Sequence, residues 1–179
     1  MKPLCVFLVW ILVSGAALTA QAPRVRPLDP LASMAYIRGH DQSGTFRALV
    51  AELEASDLIV HIVTATGLPG GVAGTTRFAG RGGESRYVRI DLSAWLTAKQ
   101  RVSILAHELQ HACEIARSGA GSSGAIDALF RAIGTSATIP GGFETAQAEA
   151  AGRTVWIELD AWRVRTRISG RWARGGNLY

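Results

Sequence analysis

Apolar positions follow two periods along this chain. From Thr97 to Arg117 they fall at helical spacing, with Val102, Leu105, Leu109, Ala112 and Ala116 on one face. No Gly or Pro interrupts the stretch, and Thr97-x-x-Gln100 has the form of a capping box. The pattern predicts a long helix with one buried side. Leu58 to Ala65 is almost continuously apolar and β-rich, so a buried strand is expected there. Val72 to Ala79 reads as a weaker strand, and Arg86 to Leu92 alternates as a third. Gly67 to Gly71 is a turn and Gly80 to Gly83 a loop. Ala32 to Arg38 and Thr45 to Ala55 read as two short helices parted by a Gly39–Gly44 loop, the second presenting Phe46, Leu49, Val50 and Leu53. Ala125 to Ile133 is a short helix between loops at Ser118–Gly124 and Thr135–Gly142, and Glu144 to about Arg165 is a long one. Helices, a small sheet, then more helices is an α+β layout, with no internal repeat.

The N-terminus changes the picture of where the chain works. Lys2 precedes an apolar run, Leu4 to Leu18, too short to span a bilayer comfortably and followed by small residues at Leu18-Thr19-Ala20. Cleavage after Ala20 is expected. The competing site, Ala20-Gln21-Ala22, would leave Pro23 first, and an uncleaved anchor is the other alternative. The domain reading is a signal peptide at 1–20, an extended Pro-rich leader and short helix at 21–42, one folded domain at 43–168 and a loose tail at 169–179. An exported protein, periplasmic or secreted, follows. The full chain carries 19 basic and 14 acidic residues for a net charge of +5. Cys5 leaves with the signal, so Cys113 stands alone as a small buried hydrophobe and no internal disulfide is expected. Arg163, Arg165, Arg167, Arg171 and Arg174, interleaved with Trp162 and Trp172, make a basic C-terminal segment. A solvated face is the plain reading, with contact to an anionic envelope surface as the alternative; a signal peptide argues against nucleic acid.

Candidate chemistry lies in the long helix. His107-Glu108-Leu109-Gln110-His111 places two imidazoles four residues apart, one turn along one helix face. That spacing lets both reach one zinc ion, and the Glu beside them is placed to activate a metal-bound water. Both His lie away from the apolar stripe. His61 interrupts the first strand and is expected to be structural, while His40 sits in a Gly-flanked loop and is expected to be solvated.

The stretch Ile104-Leu105-Ala106-His107-Glu108-Leu109-Gln110-His111-Ala112-Cys113 resembles the extended zincin metallopeptidase signature, with uncharged residues between Glu and His and a hydrophobic residue two past the second His. The resemblance implies a zincin-like fold: a small sheet packed on the His-Glu-x-x-His helix, followed by a helix bearing the third ligand. It implies a zinc hydrolase acting on a peptide or protein substrate, with Glu108 as general base. It also implies a strand at the cleft edge that pairs with extended substrate, a role that falls to Arg86–Leu92.

A catalytic zinc keeps three protein ligands and one open position. No His follows His111, which excludes the metzincin pattern and points to a downstream carboxylate, as in the Glu-zincin branch. Helical phase favours Glu144, on a face with Ala148, Ala151, Val155 and Glu158, over Glu149, which lies about 140° round; Glu158 and Glu149 remain alternatives. The Asp usual four residues after that ligand is replaced by Ala148. Glu114, one turn past His111, either accepts a hydrogen bond from it or pairs with Arg117. Tyr87, Arg153 and Tyr179 are the candidates for an additional oxyanion donor. The other class of reading is a catalytically inactive zincin-like envelope or binding module with a structural zinc.

Overall fold

The computed structural model describes residues 22–136 and 143–175, with 136 and 167–175 as backbone alone. The expected signal segment lies outside the described residues, as do Tyr179 and the side chains of Arg167, Arg171, Arg174 and Trp172. The chain folds as α+β. The order is β1 (Val25–Pro27), α1 (Pro30–Gln42), α2 (Gly44–Glu54), β2 (Leu58–Ala65), β3 (Gly74–Gly82), β4 (Ser85–Ser93), α3 (Ala98–Ser118), α4 (Ser123–Ile133), β5 (Thr135–Ser136), β6 (Phe143–Glu144) and α5 (Ala146–Gly175). The main sheet is mixed, in the order β1-β2-β4-β3. β1 and β4 both run parallel to β2, and β3 runs antiparallel to β4. β5 and β6 form a separate two-stranded ribbon.

The stretch expected as a leader is part of the sheet. Val25 pairs with Val60, and the carboxylate of Glu54 at the end of α2 accepts from the backbone N–H of Arg24 and Val25. Val25, Ala32 and Ala35 belong to the same buried cluster as the rest of the core. Asp29 caps α1 at Ala32 N and also accepts from Thr64 N, so one carboxylate ties the helix start to β2. The expected Gly39–Gly44 loop shrinks to a single junction residue, Ser43. α1 continues through Gly39, where an added Cβ would stand 2.6 Å from the Phe46 ring. At the other end of the chain, α5 runs on to Gly175 instead of stopping near Arg165.

The capping box forms as expected: Gln100 N donates to Thr97 Oγ1, and Thr97 N to the Gln100 carbonyl oxygen. The resulting helix, α3, runs through the middle of the molecule. Its stripe of Val102, Leu105, Leu109 and Ala112 is fully buried against Val88, Ile90 and Leu92 of β4 and the helices around it. α5 packs on α3 through Ala148, Ala151, Val155 and Leu159. The two helices come close at Gly152, where an added Cβ would meet Ser103 O at 3.3 Å and His107 Cβ at 3.4 Å. Cys113 is buried with its Sγ 3.7 Å from Leu49 O, and burial pushes its thiol up to about 12. Below the C-terminal end of α3, the buried Arg86 donates to Ile115 O, Ala116 O and Ala120 O, and its fork meets both oxygens of Asp57. Among the described residues no helix is long and apolar enough to cross a membrane.

Candidate metal centre

His107 and His111 leave α3 on the side away from its core stripe and enter a cavity of about 420 Å³. Its walls come from β3 (Gly74 to Phe78), α4 (Ile126, Asp127, Phe130) and β6 (Phe143, Glu144). One side is apolar, and the Phe130 ring stands edge-on to His111 with 5.1 Å between centroids. The two imidazole Nε2 atoms face each other at 3.2 Å, and His107 Nε2 lies 2.9 Å from Glu144 Oε2.

His107, His111 and Glu144 together lie close enough to hold a metal ion, with one ligand atom from each inside 4.8 Å of the others. Atoms about 2.0–2.2 Å from one tetrahedral ion stand about 3.3–3.6 Å apart, and the separations of 3.2 and 2.9 Å are slightly shorter. A second observation bears on the fit. The Glu144 side chain is 41 % exposed, yet its Oε2 is buried and has no hydrogen-bond partner, although His107 Nε2 is near. The approach lacks hydrogen-bond geometry. A buried acceptor left in this state is costly unless a cation meets it. Two nitrogens and one carboxylate oxygen are a donor set suited to zinc or a similar divalent ion.

Electrostatics differ between the two rings. Burial and the neighbouring His111 hold His107 below the ordinary imidazole value. At His111 burial acts the same way but is outweighed by Glu114 and Glu108, so its value is raised. Glu114 accepts from His111 Nδ1 at 3.0 Å and from Thr145 Oγ1 at 2.8 Å. Burial opposes ionisation of Glu114, and these donors overcome it, lowering its pKa. An ionised Glu114 is acceptor only, so the Nδ1 of His111 carries a proton, and in the neutral ring its Nε2 presents a lone pair to the site. Of the two partners open to Glu114 it takes His111; Arg117 pairs instead with Glu52.

Glu108 is 5 % exposed and lies between α3 and β3. Its Oε2 accepts from Thr76 Oγ1 at 2.7 Å. Burial raises its pKa to about 7, against the lowering effects of His111 and Thr76.

Glu144 reaches the site by a route that helical phase did not describe. It belongs to β6, not to the long helix, which begins at Ala146 with Thr145 as its cap: Ala148 N donates to Thr145 Oγ1. The face of Ala148, Ala151 and Val155 is buried as that phase required, but Glu144 stands before it, turned in by the β5–β6 ribbon. The alternatives are elsewhere. Glu149 is exposed and paired with Arg153. Glu158 binds Ser43 Oγ, Thr45 Oγ1 and Thr45 N at the start of α2.

Other expectations shift. Arg86–Leu92, taken as the cleft-edge strand, is interior: β4 is paired on both sides, and the edge beside the cavity is β3. Tyr87 stands beside His61, ring centroids 5.9 Å apart, and Arg153 is tied to Glu149, so neither lines the cavity. His61 is half-buried on the sheet, and burial with Arg26 and Arg89 lowers its pKa. His40 is exposed, on α1 rather than in a loop. Gly74, Thr76 and Phe130 went unnoticed in the sequence. Alternation along the weak strand was the available signal, since it places Gly74, Thr76 and Phe78 on one face.

Comparison with protein-family models, with curated proteins and with solved structures finds no match.

Proposed function

We propose that this protein is an exported zinc metallopeptidase of the zincin kind. The observation that carries the reading is the convergence of His107 Nε2, His111 Nε2 and Glu144 Oε2, which has no hydrogen-bond partner, in a cavity that Glu108 also lines. His107, His111 and Glu144 would hold the ion. When bound, zinc lowers the pKa of its water toward 7 and polarises a substrate carbonyl.

The protein's own groups supply the rest. Glu114 fixes the ring of His111 and its tautomer, and Thr145 fixes Glu114. Glu108 takes a proton from the attacking water and returns it to the leaving amine. A cation held by the neighbouring ligands would lower the raised pKa of Glu108 and keep the carboxylate ionised to accept that proton. Among the described residues no strand covers the outer edge of β3 beside the cavity, along which an extended peptide backbone can pair. The apolar wall of Ile126, Phe130 and Phe143 excludes water from one side of the reacting bond. Export rests on the Leu4–Leu18 segment after Lys2. Arg163 and Arg165 stand on an exposed stretch of α5, where an anionic envelope surface can meet them.

The test is Glu108→Gln in protein purified without chelator. The variant should keep its metal and lose hydrolysis of an unstructured substrate such as casein, because an amide cannot accept the proton. Full activity in that variant removes Glu108 as base. A parent that binds zinc but cleaves nothing is the inactive binding module instead.

A further inference from the structure

We propose that Gly74 and Thr76, two inward-facing positions of edge strand β3, are positioning residues that set where the Glu108 carboxylate stands. The inference rests on the reading above, in which Glu108 moves the proton. Each oxygen of Glu108 meets one of the two residues. Oε2 accepts from the Thr76 hydroxyl at 2.7 Å, and the same hydroxyl lies 3.2 Å from the Glu108 main-chain oxygen. Oε1 lies over Gly74, where an added Cβ would be 2.7 Å from that oxygen, 3.0 Å from Glu108 Cγ and 2.8 Å from Ile104 Cγ2. The side chain therefore occupies a slot whose floor is a missing Cβ and whose end is a hydroxyl.

A glutamate has three side-chain torsions, and a carboxylate at a cavity wall is ordinarily free to sample several of them. Here β3 meets both oxygens. The register fixes the slot itself: Gly74 pairs with Leu92 and Thr76 with Ile90, both fully buried residues of β4. Gly74 and Thr76 face α3 from one strand, two residues apart, so the strand that offers an open edge to the cavity also holds the base. Docking of a backbone on β3 and placement of the proton acceptor are then set by the same element.

The experiment compares Thr76→Val and Thr76→Ser in the full chain, with metal content, kcat, KM and the carboxyl ¹³C resonance of Glu108 measured for each. That resonance is assigned by its loss in Glu108→Gln. Thr76→Val should keep its metal and its KM within about twofold while kcat falls about ten- to hundredfold, the scale of a base misplaced by about an ångström. Its Glu108 resonance should shift. Thr76→Ser, which keeps the hydroxyl, should restore both. Gly74→Ala should shift the same resonance and lower kcat by moving the other oxygen. A Thr76→Val protein with the parent kcat overturns the proposal, as does a Thr76→Ser protein as impaired as the valine. If the parent hydrolyses nothing, the peptidase reading fails alone. The resonance, recorded with and without metal, then decides the placement: a shift in valine reversed in serine upholds it, and an unshifted valine resonance overturns it.

Discussion

Two clusters of buried polar groups sit on the same helix and are finished in different ways. At the C-terminal end of α3, the Arg86 guanidinium finds an acceptor for each of its nitrogens: three helix-end and loop carbonyls and both oxygens of Asp57. Two of those carbonyls, of Ile115 and Ala116, belong to the last turn of the helix, at the end where its dipole favours a cation. Midway along α3, two imidazole nitrogens face each other at 3.2 Å and a carboxylate oxygen lies buried with no hydrogen bond. Around them the support is as complete as at Arg86, since Glu114 and Thr145 are fully engaged. A closed cluster stabilises the fold. A cluster closed on its outside, with three donor atoms turned toward one another at its centre, brings them close enough to hold an ion.

The largest expected effect falls on the open cluster. His107→Ala or His111→Ala should drop metal content from about one ion per chain to almost none. A ligand at a hundred times its Kd stabilises the native state by about 2.7 kcal/mol. Chelator should therefore lower the melting temperature of the parent and leave that of either variant unchanged. A parent indifferent to chelator erases the distinction between the clusters.

Arg86→Met tests the closed one. It removes a donor from Asp57 and from three carbonyls, of which Ile115 O keeps Ser118 Oγ and Ala116 O keeps Gly119 N, so urea unfolding should show a loss on the order of 2 kcal/mol. Metal affinity should stay within about twofold, because Arg86 touches none of the site residues. A large loss of metal would mean that the two clusters are coupled through α3.

The third effect is smaller and separates two acids close in sequence. Glu144→Ala should raise the metal Kd at least about tenfold, the order found even for groups one shell further out. Glu149→Ala should leave it unchanged, since that carboxylate meets Arg153 in solvent. Equal losses in a metal titration would displace Glu144 as a ligand.

The smallest effect is a pH dependence at the closed cluster. Hydrogen bonds from Arg86 hold the Asp57 carboxyl below its ordinary value of 3.8, overcoming the opposing effect of burial. A lowered folded value means that the stabilisation is present above that ordinary value and is lost as the carboxyl protonates below about pH 4. Asp57→Asn should therefore lose less stability than the parent as acid is added. Parallel stability curves for the two proteins between about pH 5 and pH 2 would show that Asp57 contributes nothing.

Most of what could be read in advance was local. The capping box at Thr97–Gln100, the α3 stripe and the three central strands depend on neighbours within a turn or two. Elements that depended on distant partners were misread. Val25–Pro27 looked like a leader because a three-residue strand carries no periodicity; it pairs with β2 across two intervening helices. Gly39 looked like a break because its neighbour, the Phe46 ring, comes from the next helix. The zincin resemblance gave Arg86–Leu92 the cleft edge, but sheet order depends on where β3 returns, and β3 takes the outside position.

The same division runs through the site. That His107 and His111 share a helix face with Glu108 between them follows from the helical repeat alone, so the sequence determined it. Which carboxylate joins them did not follow. Glu144, Glu149 and Glu158 are chemically alike, and the choice depended on where α5 begins and on the β5–β6 ribbon that turns Glu144 inward. The partner of Glu114 was decided in the same way, by Glu52 on α2 engaging Arg117 and leaving His111 to Glu114. Spacing within one helix is a property of the backbone and is written in residue order. Contacts between elements depend on packing that closes only when the whole core is assembled, and there the tertiary structure alone selects among equivalent side chains.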